Sequence, residues 1–528
     1  MILRVALLAI AAAVGVVACE KPDPPLLHVR LLTPLASDSS KRGSQFSTVV
    51  TAPLLYCGEA LIPSGSLVSG TVRRANRVGL GLIHERAALE LNFKTYELPD
   101  GRTYPLGAQL ADVDNSREKV TPRGQIKGIL AASNANRFFR GVWFKPTADL
   151  APRSLVGLTG ASNQVWEEFD LGPQGAAALF VLQLFLFRFP EPEINLPIGT
   201  DMKIRISSLP ENVPSYAAPP VSEVPGLLAE WLGSRPFDVT NPDDTSAEDI
   251  VNFAFLGTQD QLLQAFDSAG WDLADDRTPR TFSLSYNAYA TRAGYATAPV
   301  SKLFYQGATP NFVFQKSFNT IEKRHHIRVW SIGSFEGNDI WLGAATHDIG
   351  VSLLKASKVV THKIDPHIDL ERDKVVEDLT FEDCVEPPGY VDRSSAVSSL
   401  RDNSSISTDG RLAVLTLRDC DPVSDDPDPL KRPGRKVDKL VRRMLLEGRQ
   451  HLLRDNIYYY GFEGIKKLVQ RPSRPAPQTA FALTAAGKTL KHPAAQSNTN
   501  FSWTAPVTNA FSSPTNTFSS DLTPNSGR

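Results

Sequence analysis

Short runs of alternating apolar and polar residues, separated by proline and glycine turns, constrain the fold of this chain most strongly. The clearest run is RAALELNFKTYEL, in which Ala87, Leu89, Leu91 and Phe93 alternate with polar side chains. Because successive side chains of a strand point to opposite faces, this spacing predicts a strand with one buried face. The 39 prolines and 35 glycines among 528 residues indicate many turns. We therefore expect an α+β fold that is predominantly antiparallel β and has two or three domains.

One turn pattern occurs twice in the first half of the chain. LIPSGSLVSGTV contains Pro63 and Gly65, and INLPIGTDMKIRI contains Pro197 and Gly199; a strand-like run follows each pair. Proline fixes φ and glycine supplies the turn. Both segments are expected to belong to one barrel-like or sandwich-like β-rich domain, predicted for residues 46–210.

Part of this domain is similar to a known family. LIPSGSLVSGTV together with LPDGRTYPL resembles the β-barrel domain of TrbI-like conjugation components over roughly sixty residues. The resemblance implies a β-domain of the cell envelope. A generic barrel without a partner role fits the same residues equally well.

The first residues have the features of an export signal. A basic start at Arg4 precedes the apolar run Val5–Val17, which is too short to span a bilayer. The run ends in Val16-Val17-Ala18-Cys19, which resembles a bacterial lipobox. Residues 1–18 are thus predicted to be a lipoprotein signal peptide, and Cys19 is predicted to carry the lipid that anchors the chain to a membrane. A plain secretory signal is the alternative.

Location and partners follow from this interpretation. In lipoprotein sorting, Glu20 rather than aspartate after the cysteine implies an outer-membrane location facing the periplasm. The predicted partners are the membrane and a protein of the envelope. The net charge of −1 provides no field that favours nucleic acid.

Export also changes the interpretation of the cysteines, because disulfides persist outside the cytoplasm. Cys384 and Cys420 flank a short, turn-rich segment and are predicted to form a disulfide. Cys57 lies in the apolar run TAPLLYCGEAL and is predicted to be a buried free thiol.

Changes in composition predict the remaining boundaries. Residues 19–45 are expected to be a tether, 211–235 a linker, 236–383 an α+β domain, 384–470 a C-terminal extension and 471–528 a disordered tail. The apolar run at 175–189 predicts a buried helix, with a membrane-dipping segment as the alternative.

Residues 324–379 hold the candidate functional groups, since histidine is suited to acid/base or metal chemistry near neutral pH. Five of the nine histidines lie there. Alternation places His325 on an apolar strand face, and Asp365 is predicted to cap a helix on which His367 and Glu371 project together. Such a pair can bind a metal or act as an acid/base pair. The candidate site residues are His325, His347, His362, Asp365, His367 and Glu371.

A structural role is the alternative for each candidate. His367 and Glu371 fit a solvated helix face, which we favour. His362 fits a core histidine bonded to a backbone carbonyl, and His347 fits a turn after a strand. No catalytic residue, metal or cofactor is therefore assigned from the sequence.

Several blocks in the second half occur together in one family. SAEDIVNFAFLGTQDQLLQAFDSAGW, APVSKLFYQGATPNFVFQK, RHHIRVW, IWLGAATHDIGV and THKIDPHIDLERDKVVEDL resemble the LssY-type C-terminal domain over about residues 236–380. The resemblance implies a membrane-associated or exported bacterial domain without a settled activity.

Two functions remain open. The favoured one is a cell-envelope lipoprotein that acts as a scaffold or binding module. The alternative is a hydrolase of phosphate esters or lipids, metal-dependent or based on His and Asp, that uses the candidate cluster. No phosphate-binding loop, Gly-x-Ser-x-Gly elbow or His-Glu-x-x-His motif is present in the sequence.

Overall fold

The structure is a computed structural model. It describes residues 25–80, 84–129, 191–210, 213–241, 247–353, 360–393 and 406–420, with 441–442, 445–446 and 465. All of these lie in one compact unit, Met1–Lys466. The predicted signal peptide with Cys19, the apolar run at 175–189 and the tail at 471–528 lie outside the described residues.

The first half of the chain forms a closed barrel of six antiparallel strands with short strands around it. The ring order is β6-β3-β1-β12-β8-β7, and β7 pairs again with β6. The strands of this half are β1 Leu26–Leu31, β2 Leu35–Ala36, β3 Gln45–Val50, β4 Leu54–Tyr56, β5 Glu59–Ile62, β6 Leu67–Asn76, β7 Ala88–Glu97, β8 Thr103–Val113, β9 Lys119–Val120, β10 Gln125–Lys127, β11 Asn195–Leu196, β12 Asp201–Ser208 and β13 Tyr216–Ala217.

Strand alternation fills the barrel, as the sequence predicts. In β7, Leu89, Leu91, Phe93 and Tyr96 are buried. Gly65 and Gly199 both have positive φ, at 84° and 83°. β6 and β12, which follow these two turns, belong to the same ring, so the expectation that both segments share one domain is confirmed.

Two predictions about the start of this domain are corrected. The tether expected at 19–45 includes β1 and β2, and β1 lies between β3 and β12 in the ring because alternate residues of Leu26–Leu31 are apolar and buried. Cys57 is exposed in the turn between β4 and β5 and takes part in a disulfide, so it is not a buried free thiol.

A second, larger sheet dominates the other half. Its order is β17-β18-β19-β20-β16-β23-β22, with β21 on β20, and every pairing except β16–β23 is antiparallel. The elements of this half are α1 Gly226–Gly233, β14 Asp238–Thr240, β15 Ala247–Ile250, β16 Phe253–Leu256, α2 Gln259–Ser268, β17 Asp272–Leu273, α3 Pro279–Thr291, β18 Phe312–Ser317, β19 Arg324–Phe335, β20 Asn338–Leu353, β21 Val360–Ile364, α4 Ile368–Phe381, β22 Gly389–Val391 and β23 Leu412–Thr416. The predicted α+β fold, mainly antiparallel β, is confirmed.

Local signals fix several of these elements. Thr258 and Gln261 form a reciprocal capping box at the start of α2. Glu336 and Gly337, both with positive φ, make the tight turn that joins β19 to β20. Helix α4 begins two residues later than Pro366 predicts: His367 is its N-cap, and the Asp365 carboxylate accepts a hydrogen bond from the His367 backbone N–H.

Each face of the large sheet has its own core. One face packs Phe253, Phe255 and Phe314 against α2 and α4. The other packs Trp330 and Leu342 against α1. Strands β22 and β23 complete the sheet, so part of the predicted C-terminal extension, which was expected to begin at 384, belongs to this domain.

Candidate functional site

The predicted site residues do not form one cluster, because strand alternation sends them to opposite faces of the large sheet. His325 and His347 are direct partners across β19 and β20 and lie on the face covered by α4. His326, next in the chain, lies on the other face, as does Asp348, beside which His362 lies. His347 lies inside β20 rather than in a turn, which corrects that alternative.

His325 joins the two domains through both ring nitrogens. Its Nδ1 lies 2.6 Å from Glu371 Oε2 of α4, and its Nε2 lies 2.8 Å from Asp114 Oδ2, just after barrel strand β8. Its ring stacks on that of His347 with centroids 4.3 Å apart. His347 Nε2 lies 3.0 Å from Asn115 Oδ1. One face of the sheet therefore presents two imidazoles to a single barrel turn.

The charges around His325 set its protonation. Burial alone would lower the pKa of His325, but the Glu371 and Asp114 carboxylates outweigh burial and raise the pKa to about 10. Burial and the neighbouring His325 charge lower the pKa of His347 to about 4. Burial acts to raise the pKa of Asp114, yet the His325 charge and hydrogen bond hold it below its usual range. The cluster thus pairs a charged imidazole with a neutral one.

A network of buried ion pairs continues from this cluster along the boundary between the domains; we call it the interdomain joint. Its members are Arg30 and Asp201 of the barrel and Lys316, Lys374 and Asp378 of the larger-sheet domain. Lys374 Nζ lies 2.9 Å from Asp201 Oδ2 and 2.6 Å from Asp378 Oδ1. Arg30 Nε donates to Asp201 Oδ1 at 2.8 Å. These contacts fix the barrel against α4.

The opposite face carries a second buried cluster around Asp348. Arg324 Nε donates to Asp348 Oδ2 at 3.0 Å. His362 Nδ1 and His326 Nδ1 lie 3.4 and 3.6 Å from the same oxygen, and neither nitrogen has a hydrogen-bond partner among the described residues. His326 is fully buried, whereas 32% of the His362 side chain is exposed. The cluster therefore places a partly exposed histidine, His362, beside a buried carboxylate, Asp348.

A third group lies beside it and was not predicted. Asp249 accepts hydrogen bonds from Arg328 Nη1 at 2.9 Å and from the Thr346 hydroxyl at 2.8 Å. Burial raises the pKa of Asp249 despite the Arg328 charge. The sequence signal available for this group is that Arg324, His326 and Arg328 are alternate residues of β19 and therefore share one face of the strand.

Two predicted residues do not contribute to these clusters. Asp365 bonds the backbone N–H of His367, and His367 is exposed. His367 and Glu371 were expected to project together, but His367 precedes the helix with a ψ of 75°, while Glu371 is buried against His325. That prediction is wrong because the residue expected inside the helix is its N-cap.

Asp114 is the site residue that sequence reasoning missed. It lies 211 positions from His325, in an acidic turn of the barrel that has no motif of its own. Together, Asp114, His325 and His347 offer three ligand atoms that all lie within 4.8 Å of one another. Two imidazole nitrogens and a carboxylate oxygen are the donor types of zinc and related transition-metal sites. The residues present therefore fit a divalent ion.

Comparisons with known proteins identify one part of the chain. Residues 230–412 match the family model described as LssY C-terminus. Among solved structures, the chain matches ComB10 of the Com type IV secretion system of Helicobacter pylori, with 12% identity over 37% of this chain and 94% of that chain. The TM-score of 0.18 is too low to support a conclusion from this match. No curated protein matches at a significant level.

Within the described residues, no helix has the length and apolar character needed to cross a membrane. The match to the LssY C-terminus family thus covers the part of the chain that holds the buried histidine clusters and all of the large sheet except most of β23.

Proposed function

We propose that this protein is a scaffold or binding module of the cell envelope, held at a membrane by a lipid on Cys19. In this proposal the barrel and the LssY C-terminus domain act as one rigid unit that presents a fixed surface to an envelope partner. The proposal extends to an outer-membrane location facing the periplasm.

The interdomain joint is the observation that carries this proposal. Arg30, Asp201, Lys374 and Asp378 are all at most 13% exposed, and each makes at least two charged contacts. Buried ion pairs contribute little net stability, but they penalise any arrangement that leaves a charge unpaired. Such a network favours one relative orientation of the two domains, which a scaffold requires and an isolated hydrolase domain does not.

The state of the candidate residues also favours binding over hydrolysis. Hydrolysis requires acid/base groups that converge on a space open to substrate. His325 and Glu371 are occupied with each other and with the barrel, and His347 contacts Asn115. Of the six candidates, three lie in this contact and the other three do not converge with it.

A hydrolase remains a second candidate because of one observation. Asp348 lies beside His362, and that imidazole is partly exposed. A carboxylate that orients a histidine is a common arrangement for a general base. Arg324, on the same carboxylate, would supply positive charge for an anionic ester.

Activity assays separate the two functions. Purified protein is incubated with aryl phosphate monoesters, phosphate diesters and carboxylic esters, with and without Zn²⁺ or Mn²⁺, beside the His362→Ala variant. We expect wild type and variant to show the same background rate. A wild-type rate at least tenfold higher that His362→Ala abolishes would support the hydrolase instead.

Binding is tested through the joint. Photo-crosslinking from exposed positions of the protein in intact cells is compared between wild type and Lys374→Ala, with His367→Ala as the exposed control. We expect a discrete crosslinked partner that disappears in Lys374→Ala and persists in His367→Ala. Identical crosslinks in all three proteins would show that the fixed orientation is not needed for binding.

A further inference from the structure

We propose that Asp114, His325 and His347 form a binding site for one divalent transition-metal ion that joins the barrel to the LssY C-terminus domain. The barrel supplies the carboxylate and the large sheet supplies both imidazoles. The inference does not depend on the proposed scaffold function, because the site follows from the donor atoms alone.

The positions of the donor atoms are the first support. The three ligand atoms lie within 4.8 Å of one another. Ligand atoms about 2.0–2.2 Å from one zinc ion lie roughly 3.4 Å apart in a tetrahedral site. His325 Nε2 and Asp114 Oδ2, at 2.8 Å, need to move apart slightly to admit an ion. Small side-chain rotations therefore suffice to complete the site.

The orientation of His325 is the second support. Metal-binding histidines usually donate their other ring N–H to a carboxylate, which fixes the ring and its tautomer. Glu371 Oε2 lies 2.6 Å from His325 Nδ1, and the Glu371 side chain is only 2% exposed. This contact holds a proton on Nδ1, so that loss of the proton on Nε2 exposes a lone pair directed at Asp114.

Charge balance is the third support. A histidine with a carboxylate at each nitrogen needs a positive charge at its centre, because a neutral ring donates only one hydrogen bond. Either a second proton or a metal ion meets this need at the Nε2–Asp114 contact. His347, stacked at 4.3 Å, brings a second nitrogen to the same turn.

The donor set indicates the class of ion. Two imidazoles and one carboxylate suit Zn²⁺, Co²⁺ or Ni²⁺ better than Ca²⁺ or Mg²⁺, which prefer oxygen ligands. Asn115 Oδ1, 3.0 Å from His347 Nε2, is an oxygen donor next to this histidine. Binding displaces the proton at His325 Nε2 to solvent, so each ion bound releases a proton.

Metal titration tests the proposal. The chain, purified without a histidine tag and stripped with a chelator, is titrated with Co²⁺ and Zn²⁺ while visible absorption, heat and melting temperature are recorded. We expect one ion per chain, a Co²⁺ spectrum typical of low coordination number, and a higher melting temperature in the loaded protein.

Variants locate the ion. His347→Ala and Asp114→Asn are expected to lose stoichiometric binding, and Glu371→Gln to weaken it by about 10–100-fold. His362→Ala, in the Asp348 cluster, and His367→Ala, which is exposed, serve as matched controls and are expected to bind as wild type does. Circular dichroism of each apo variant verifies folding before titration.

Two results would overturn the inference. One is a wild-type chain that binds no stoichiometric Zn²⁺ or Co²⁺ at neutral pH, which would assign the positive charge to a proton. The other is binding that survives in Asp114→Asn or disappears in His362→Ala, which would place the ion elsewhere. Because the wild-type Co²⁺ spectrum is read without any substitution, a variant that fails to fold leaves the test decisive.

Discussion

At the scale of single residues, the buried aspartates of the larger-sheet domain are paired with basic or hydroxyl groups. The Asp249 carboxylate accepts hydrogen bonds from Arg328 and from the Thr346 hydroxyl, and the Asp348 carboxylate accepts one from Arg324. A carboxylate or guanidinium removed from water is tolerated when partners replace its hydration. These polar groups lie on an apolar sheet because each has a partner on a neighbouring strand or loop.

Removing one member of such a pair is expected to be costly. Asp249→Ala leaves Arg328 buried without its carboxylate and should lower the free energy of unfolding by about 3–5 kcal/mol. The matched control is Glu386→Ala, which removes one of the two acidic partners of Arg418 at the surface and should cost less than about 1 kcal/mol. Urea unfolding measures both. Equal losses in the two variants would contradict the account of the buried pair.

At the scale of elements, the sequence predicted features that depend on neighbouring residues better than features that depend on distant ones. The capping box of α2 and the β19–β20 turn were readable because each depends on residues within four positions of one another. The parallel pairing of β23 with β16 depends on residues about 160 positions apart, so periodicity gives no sign of it. The start of α4 was misplaced since Pro366 fits both a first helical turn and a bend before it.

The disulfide ties two of these elements together. The structure joins Cys384, after α4, to Cys420, after β23. Closing a loop of 36 residues is expected to stabilise the domain by about 2–4 kcal/mol. Non-reducing peptide mass spectrometry should find the linked pair, and Cys420→Ser should unfold at lower urea concentration than wild type. Two free thiols at Cys384 and Cys420 would refute the linkage.

At the scale of the whole molecule, the fold class and the barrel were predictable, but the contact between domains was not. The alternation of apolar and polar residues, together with the turn residues, indicates which face of a strand is buried. They do not report that Arg30, Asp114 and Asp201 meet α4 and β19, because these residues are isolated charges in barrel sequence. The site was half predicted for the same reason: His325, His347 and Glu371 converge, whereas their barrel partner has no local signature.

Anchoring is a prediction about the whole chain. Cys19→Ser should release the protein from the membrane fraction or trap its precursor, because the lipid attachment atom is lost. Fractionation with intact-mass analysis measures both outcomes, and a correctly processed, membrane-bound Cys19→Ser protein would contradict the prediction.

Acid is expected to weaken the interdomain joint through Asp201. Burial acts to raise the pKa of Asp201, but Lys316, Lys374 and Arg30 outweigh it and hold the pKa well below its usual range. The folded state therefore keeps this carboxylate ionised to lower pH than the unfolded state does. Its contribution to stability is complete above the unfolded pKa of about 3.9 and is lost as pH falls through the folded value.

Asp201→Asn provides the measurement, because the amide cannot titrate. At pH 7 the variant should be less stable than wild type by about 3–5 kcal/mol, since Lys374, Lys316 and Arg30 lose a buried partner. Between pH 5 and roughly pH 2 the difference in free energy of unfolding should narrow, because protonation of Asp201 removes from wild type the same ion pairs that the substitution removes from the variant. Glu97→Gln, an exposed carboxylate at the end of β7, is the control and should follow wild type at every pH. The prediction fails if the difference in free energy of unfolding between wild type and Asp201→Asn stays constant from pH 7 down to the lowest pH at which the protein is folded. A constant difference would show that Asp201 is not an ionised member of the joint.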